Sequence, residues 1–171
     1  MFEITTVTPE FALGPQLAAG DFAAIRDAGF ASVLNARPDD EDGTYLTSAA
    51  AEPIARDLGL AYFHSPSDNH ALFEMDIIDR FEQALINLPK PIFAHCKSGT
   101  RTAILWALVA SRHRDVETVI ALLRDAGQEI EFLEDELRES AEEALSTPLR
   151  LKDDGLLSLG RSSLLGGARR R

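Results

Sequence analysis

A three-layer α/β domain with a mainly parallel central sheet is the fold class that the sequence predicts. Three observations carry it. Short apolar runs alternate with helical patterns along the chain, as in strand–helix–strand units. Gly29, Gly59 and Gly127 each close a helical pattern from the C′ position. The segment from Arg101 to Arg112 is apolar almost all round, which suits a buried helix.

The elements follow in order. Phe2 to Val7 reads as a short strand and Phe11 to Pro15 as a second extended piece. Asp21 occupies a natural N-cap for a helix over Phe22 to Ala28. Ala31 to Asn35 is a compact strand, and Arg37 to Gly43 a polar loop. A helix lies within Thr47 to Leu58. Pro53 belongs in a first helical turn, so that helix is expected to be short or kinked. Leu60 to His64 is the next strand, and Ser65 to His70 is rich in turn formers. Ile78, Phe81, Leu85 and Leu88 recur at helical spacing within Phe73 to Leu88, which Pro89 terminates.

Pro91 to His95 is a strand, Cys96 to Thr100 a loop, and Arg101 to Arg112 the buried helix. Trp106, Ile104, Leu105 and Leu108 are assigned to the core rather than to a cofactor site. Asp115 caps a further helix bearing Val116, Val119, Ile120 and Leu123. Gln128 to Leu145 carries eight acids and one Arg and reads as an amphipathic helix with Ile130, Leu133 and Leu137 inward. Residues 146–171 hold six basic and two acidic residues with four Gly, the composition of a flexible basic tail. Residues 1–145 are therefore read as one catalytic domain.

The chain has 171 residues, enough to bury a core without disulfides. Seventeen Lys and Arg against twenty-eight Asp and Glu give a net charge of -11, which disfavours nucleic acid as a partner. One cysteine, Cys96, cannot form an internal disulfide, in keeping with a reducing compartment. The N-terminus lacks the basic start and apolar run of a signal peptide, and no apolar stretch is long enough to span a bilayer. These features predict a cytoplasmic protein without a membrane partner. His64, His70, His95 and His113 lack zinc-binding spacing, so no metal and no cofactor are expected. Nothing in the sequence specifies an oligomeric state.

The chemistry is concentrated in Ile92 to Thr102. An apolar strand delivers Cys96 at its C-terminal end, Gly99 follows in a short loop, and a helix begins near Arg101. Ligands of open α/β sheets bind at the carboxyl ends of strands. Successive backbone N–H groups and a helix N-terminus hold anions and favour a thiolate. Lys97, Ser98, Gly99 and Thr100 would form the anion-binding loop, with Gly99 turning its amides inward. Arg101 can clamp an oxyanion through two parallel hydrogen bonds. The Thr102 hydroxyl is placed to stabilise a thiolate or a leaving sulfur. A buried structural thiol is the plain alternative for Cys96. The strand end, the glycine loop, Arg101 and Thr102 together favour a nucleophile.

These residues resemble a family. His95-Cys-Lys-Ser-Gly-Thr-Arg-Thr102, with Gly14-Pro-Gln-Leu17, Ala28-Gly-Phe30, Val33-Leu-Asn-Ala-Arg-Pro38 and Gly59-Leu-Ala-Tyr62, looks like the phosphatase-like domain of beta-lactamase-hydrolase-like proteins. This bacterial group is related to tyrosine and dual-specificity phosphatases. The resemblance covers roughly Phe2 to Ala126. It implies a cysteine-phosphatase-like fold with Cys96 as nucleophile and Arg101 as oxyanion clamp. Some relatives carry a fused metallo-beta-lactamase-like domain, for which this chain has neither the room nor a clustered His motif. Tyrosine phosphatases place five residues between Cys and Arg; here there are four. That spacing also resembles the active loop of single-domain rhodaneses, which carry sulfur as a cysteine persulfide.

Two enzymatic expectations follow. A phosphatase would act on a phosphorylated small molecule or protein and would use a general acid. Asp68, in the loop after one strand, is the candidate, and His70 the second. Ser67, Asp68 and Asn69 could equally be turn and cap residues. A rhodanese-like sulfurtransferase would use a sulfane-sulfur donor and a thiol acceptor and would need no such acid. A non-catalytic anion- or partner-binding module is a third reading. Arg37 either supplies a second positive charge at the same sheet edge or pairs with Asp39 or Glu41. His95 either orders the loop or is a core histidine.

Overall fold

A computed structural model describes residues 3–146. Five strands form one sheet: β1 (Thr5–Thr8), β2 (Phe11–Gly14), β3 (Ser32–Asn35), β4 (Ala61–His64) and β5 (Ile92–His95), in the order β1-β2-β5-β3-β4. Only β1 runs antiparallel, against β2; the other pairings are parallel. The helices are α1 (Asp21–Asp27), α2 (Ser48–Asp57), α3 (Met75–Asn87), α4 (Thr100–Ser111), α5 (Val116–Asp125) and α6 (Glu134–Ser146).

The period-2 alternation of the strands divides the core between two faces. Ala12, Val33 and Phe93 point to one side, where they meet Phe22 and Ile25 of α1 and Ala51 and Ala55 of α2. Leu13, Leu34 and Ala94 point to the other, against Phe81 of α3, Leu105 and Leu108 of α4, Leu123 of α5 and Leu137 of α6. The three layers follow directly. Trp106 stacks on Phe11 with ring centroids 5.6 Å apart, and Phe93 meets Phe30 edge-on at 5.7 Å.

The register places the functional loops side by side. Gly14 and Asn35 both pair with His95, and Asn35 also pairs with His64. The chain thus leaves β2, β3, β4 and β5 at one edge of the sheet. After β3 it turns toward α2 on one face; after β5 it enters α4 on the other. The crevice between β5 and β3 is a topological switch point, where α/β sheets bind ligands.

Several expected boundaries shift. The first strand is Thr5–Thr8 rather than Phe2 to Val7, and Phe2 lies outside the described residues. Gly20, not Asp21, flanks α1; Asp21 is its first residue, and its carboxylate accepts the Ala18 N–H at 2.8 Å. Helix α2 stays within its expected bounds and carries Pro53 in its interior. Pro53 and Ala49 are both exposed, so the carbonyl that Pro53 leaves without its helical donor can turn to water. The acidic helix starts at Glu134, after a 3-10 turn over Glu131–Leu133, and gathers Glu134, Asp135 and Glu136 in its first turn. Acids are favoured there by the positive end of the helix dipole. Ile130, Leu133 and Leu137 do face inward. The basic tail lies outside the described residues, Ser146 apart. Among the described residues, no helix is long and apolar enough to cross a membrane.

Candidate active site

Cys96 follows β5 immediately and is 1% exposed, yet it lines a cavity of about 460 Å³. Lys97, Ser98, Thr100, Arg101 and Ile104 form one wall; Glu41, Asp42, Asn69 and Leu72 complete it. The loop owes its shape to Gly99. Its φ of +100° suits glycine, and a Cβ there would sit 3.3 Å from the Gly14 carbonyl oxygen. With the loop so turned, the Gly99 N–H donates to Cys96 Sγ at 3.2 Å. The Gln16 N–H donates to the Lys97 carbonyl at 3.2 Å and ties the loop to the end of β2.

Helix α4 begins at Thr100, so its first amides open toward the loop. All of its residues except Thr100 and Ile104 are buried, which holds it rigidly under the sheet edge. Ile104 is half-buried and belongs to the cavity wall as well as the core margin.

Arg101 is 5% exposed and heavily committed. Its Nε donates to Asn69 Oδ1 at 2.9 Å, its Nη1 to the Ala36 carbonyl at 3.3 Å, and its Nη2 to Glu41 Oε1. A guanidinium has five N–H donors. Three of them take part in these bonds, and Arg101 lines the cavity beside Cys96.

The other carboxylate oxygen of Glu41 accepts from Arg37 Nε at 2.9 Å. Arg37 is itself anchored by Gln16 Oε1 at 3.3 Å and lies over the Tyr45 ring, 3.4 Å from its centroid. Of the two roles expected for Arg37, pairing with Glu41 is therefore realised, and Arg37 stands behind the cavity wall rather than in it. The Tyr45 hydroxyl reaches the carbonyls of Pro38 at 2.8 Å and Glu41 at 3.0 Å, bracing the same loop.

Thr102 departs from its expected place. It is fully buried, and its hydroxyl donates to the Gly99 carbonyl at 2.7 Å. A hydroxyl has one proton, and in this structure it goes to the loop-to-helix junction. Gly99 likewise shapes the loop from behind. Lys97, Ser98 and Thr100 lie exposed on the rim, with Ser98 Oγ donating to Thr100 Oγ1 at 3.2 Å.

Asp68 is exposed and closes a local turn by accepting the His70 N–H at 2.7 Å. It lines an adjoining cavity of about 300 Å³ with Asp40, Glu41, Asp42, Asn69 and His70. Its neighbour Asn69, not Asp68, reaches the Cys96 cavity. Arg80 of α3 steadies this loop through Ser65 Oγ at 3.2 Å and the Pro66 carbonyl.

His95 is 1% exposed, and neither ring nitrogen has a well-formed hydrogen bond. Burial drives its pKa down to about 4, against a weak opposing contact with the Cys96 main chain; the charges of His64 and Arg37 push the same way as burial. It is a neutral core histidine. Asp39 caps α2 by accepting the Ser48 N–H at 2.8 Å and the Ser48 hydroxyl. Burial is the largest single influence and raises its pKa, but the two hydrogen bonds and the nearby His64 together outweigh it and leave the carboxyl below its ordinary value.

With this geometry, residues 3–112 match the family described as the phosphatase-like domain of beta-lactamase hydrolase-like proteins. The chain belongs to that family. A beta-lactamase hydrolase-like protein of Xylella fastidiosa is 32% identical over 106 residues, which make up 62% of this chain and 24% of that protein. The chain thus spans about a quarter of that relative's length. A crystal structure from Neisseria meningitidis, of a protein named as a candidate phosphatase, superposes with a TM-score of 0.70. It has 23% identity and covers 80% of this chain and 97% of the other. Kinase associated phosphatase, with its catalytic-site cysteine replaced by serine, superposes with a TM-score of 0.58 at 14% identity. The match covers 86% of this chain and 97% of that one. The cysteine-phosphatase-like fold is therefore shown, and with it a phosphatase-like domain.

Proposed function

We propose that the protein is a cysteine-dependent hydrolase of phosphate monoesters. One observation carries the reading. Cys96 Sγ lies at the floor of a cavity, accepts the Gly99 N–H, and is walled by the start of α4 and by Arg101. Backbone donors that favour a thiolate and a guanidinium that favours an oxyanion meet at one point. Family membership supports the same chemistry.

In this reading the Cys96 thiolate attacks phosphorus, and the bond to the leaving oxygen breaks. The α4 amides and Arg101 hold the non-bridging oxygens. Asp68, which lines the adjoining cavity, gives its proton to the leaving oxygen. Water then attacks phosphorus and gives a proton back to the Asp68 carboxylate, the bond from phosphorus to Cys96 Sγ breaks, and inorganic phosphate leaves with the thiolate restored. The substrate is a phosphorylated small molecule or protein, and a reducing, cytoplasmic setting would keep the thiol usable. Phosphate release from an aryl phosphate, measured for the wild type and for Cys96→Ser, tests this reading.

A second reading rests on two features: the four-residue spacing from Cys96 to Arg101, and Asp68's place outside the Cys96 cavity. Both suit sulfur transfer, which needs no general acid. Here Cys96 takes the sulfane sulfur of thiosulfate, releasing sulfite, and passes it from the persulfide to a thiol. Thiocyanate formation from thiosulfate and cyanide is the assay.

A further inference from the structure

The residues that wall the Cys96 cavity carry as many acids as bases. Glu41 and Asp42 oppose Lys97 and Arg101. An anion site with no surplus positive charge is a poor one. The surplus comes from outside the lining. Arg37, 5% exposed, contacts Glu41 Oε2 through Nε and the Asp42 carbonyl through Nη2 at 3.4 Å.

Glu41 thus stands between two buried guanidiniums, one oxygen on each. Its partners differ in what holds them. Arg37 is fixed by Gln16, by the Tyr45 ring and by the loop carbonyl of Asp42. Arg101 lines the cavity, and Glu41 is the one acid bonded to it among the described residues. The rigid cation holds the carboxylate, and the carboxylate holds the working cation.

We propose that Glu41 is a positioning residue for Arg101 and that Arg37 is the counter-cation that keeps Glu41 from acting as a free negative charge beside Cys96. This rests on the reading of Cys96 as a nucleophile in an anion cavity. Removing Arg37 leaves Glu41 facing Cys96 with one guanidinium instead of two. Removing both charges together takes away the excess negative charge but also the aim of Arg101.

The test uses the full chain and needs no substrate. The rate of Cys96 alkylation by iodoacetamide at neutral pH is measured for the wild type, Arg37→Met, Glu41→Gln and the double variant, each shown to be folded by circular dichroism. Arg37→Met is expected to slow alkylation about tenfold, the scale of one uncompensated charge at short range in a partly buried site. Adding Glu41→Gln should bring the rate back to the wild-type value or above it. Arg37→Lys keeps the charge, should stay near wild type, and serves if Arg37→Met does not fold. Inorganic phosphate binding should weaken in Arg37→Met and stay below wild type in the double variant, because Arg101 has lost the carboxylate that aims it.

A double variant no faster than Arg37→Met, or an Arg37→Lys as slow as Arg37→Met, would overturn the proposal in favour of a purely structural pair. Because alkylation reports the thiol alone, failure of the charge balance stays distinct from absence of phosphatase turnover.

Discussion

The Gly99 amide donates to Cys96 Sγ at 3.2 Å. This bond exists because Gly99 adopts a φ of +100°, which folds the loop back over the sulfur. A side chain at that φ costs about 1–2 kcal/mol. The added Cβ would also press on the Gly14 carbonyl. Gly99→Ala is therefore expected to lower stability by about that amount in urea denaturation. It should also slow iodoacetamide alkylation of Cys96, because the donor is turned away. Unchanged alkylation would show that the Gly99 amide does not stabilise the thiolate.

Arg101 is expected to tolerate no lysine. Its guanidinium serves three protein partners, and an ammonium cannot serve Asn69, Ala36, Glu41 and a ligand at once. Arg101→Lys should lower kcat/KM for an aryl phosphate on the order of 100-fold. Steady-state kinetics check this; activity within a few-fold of wild type would remove Arg101 from the clamp.

Asp68 separates the two chemistries. Asp68→Asn should slow an alkyl phosphate, whose leaving oxygen needs a proton, far more than an aryl phosphate with an acidic phenol. It should leave thiocyanate formation unchanged. Equal slowing of both phosphates would assign Asp68 to shaping its turn with His70.

His95 makes stability depend on pH. Its pKa is about 4 in the folded protein and near 6.5 when exposed, so the unfolded chain binds the extra proton between those values. Stability from this group is full above pH 6.5 and is lost as the pH falls toward 4. Between pH 7 and pH 5 the loss is roughly 2 kcal/mol. Urea midpoints at the two pH values should diverge by less in His95→Gln than in the wild type. Asp39 acts with the same sign, but it is exposed and adds little.

What the sequence shows of this site is what lies in one stretch of chain. Cys96, Gly99 and the start of α4 are contiguous, and the strand before them is apolar, so their place at a sheet edge is legible from order alone. Glu41 and Asn69 are not. They reach Arg101 across 60 and 32 residues, through a register that only the packed sheet sets. The acids of the β3–α2 loop signalled a partner for Arg37, but not that Glu41 also holds Arg101. The bond that Thr102 makes is local: a threonine three residues after Gly99 can satisfy the Gly99 carbonyl, and it does so here.

The central claim is that Cys96 forms a bond to phosphorus. Release of inorganic phosphate from an aryl phosphate, under reducing conditions, tests it most directly with wild type and Cys96→Ser side by side. The account predicts steady release by the wild type and background release by the folded serine variant. Equal release by both proteins, or none by a folded wild type that instead turns thiosulfate into thiocyanate, would contradict it.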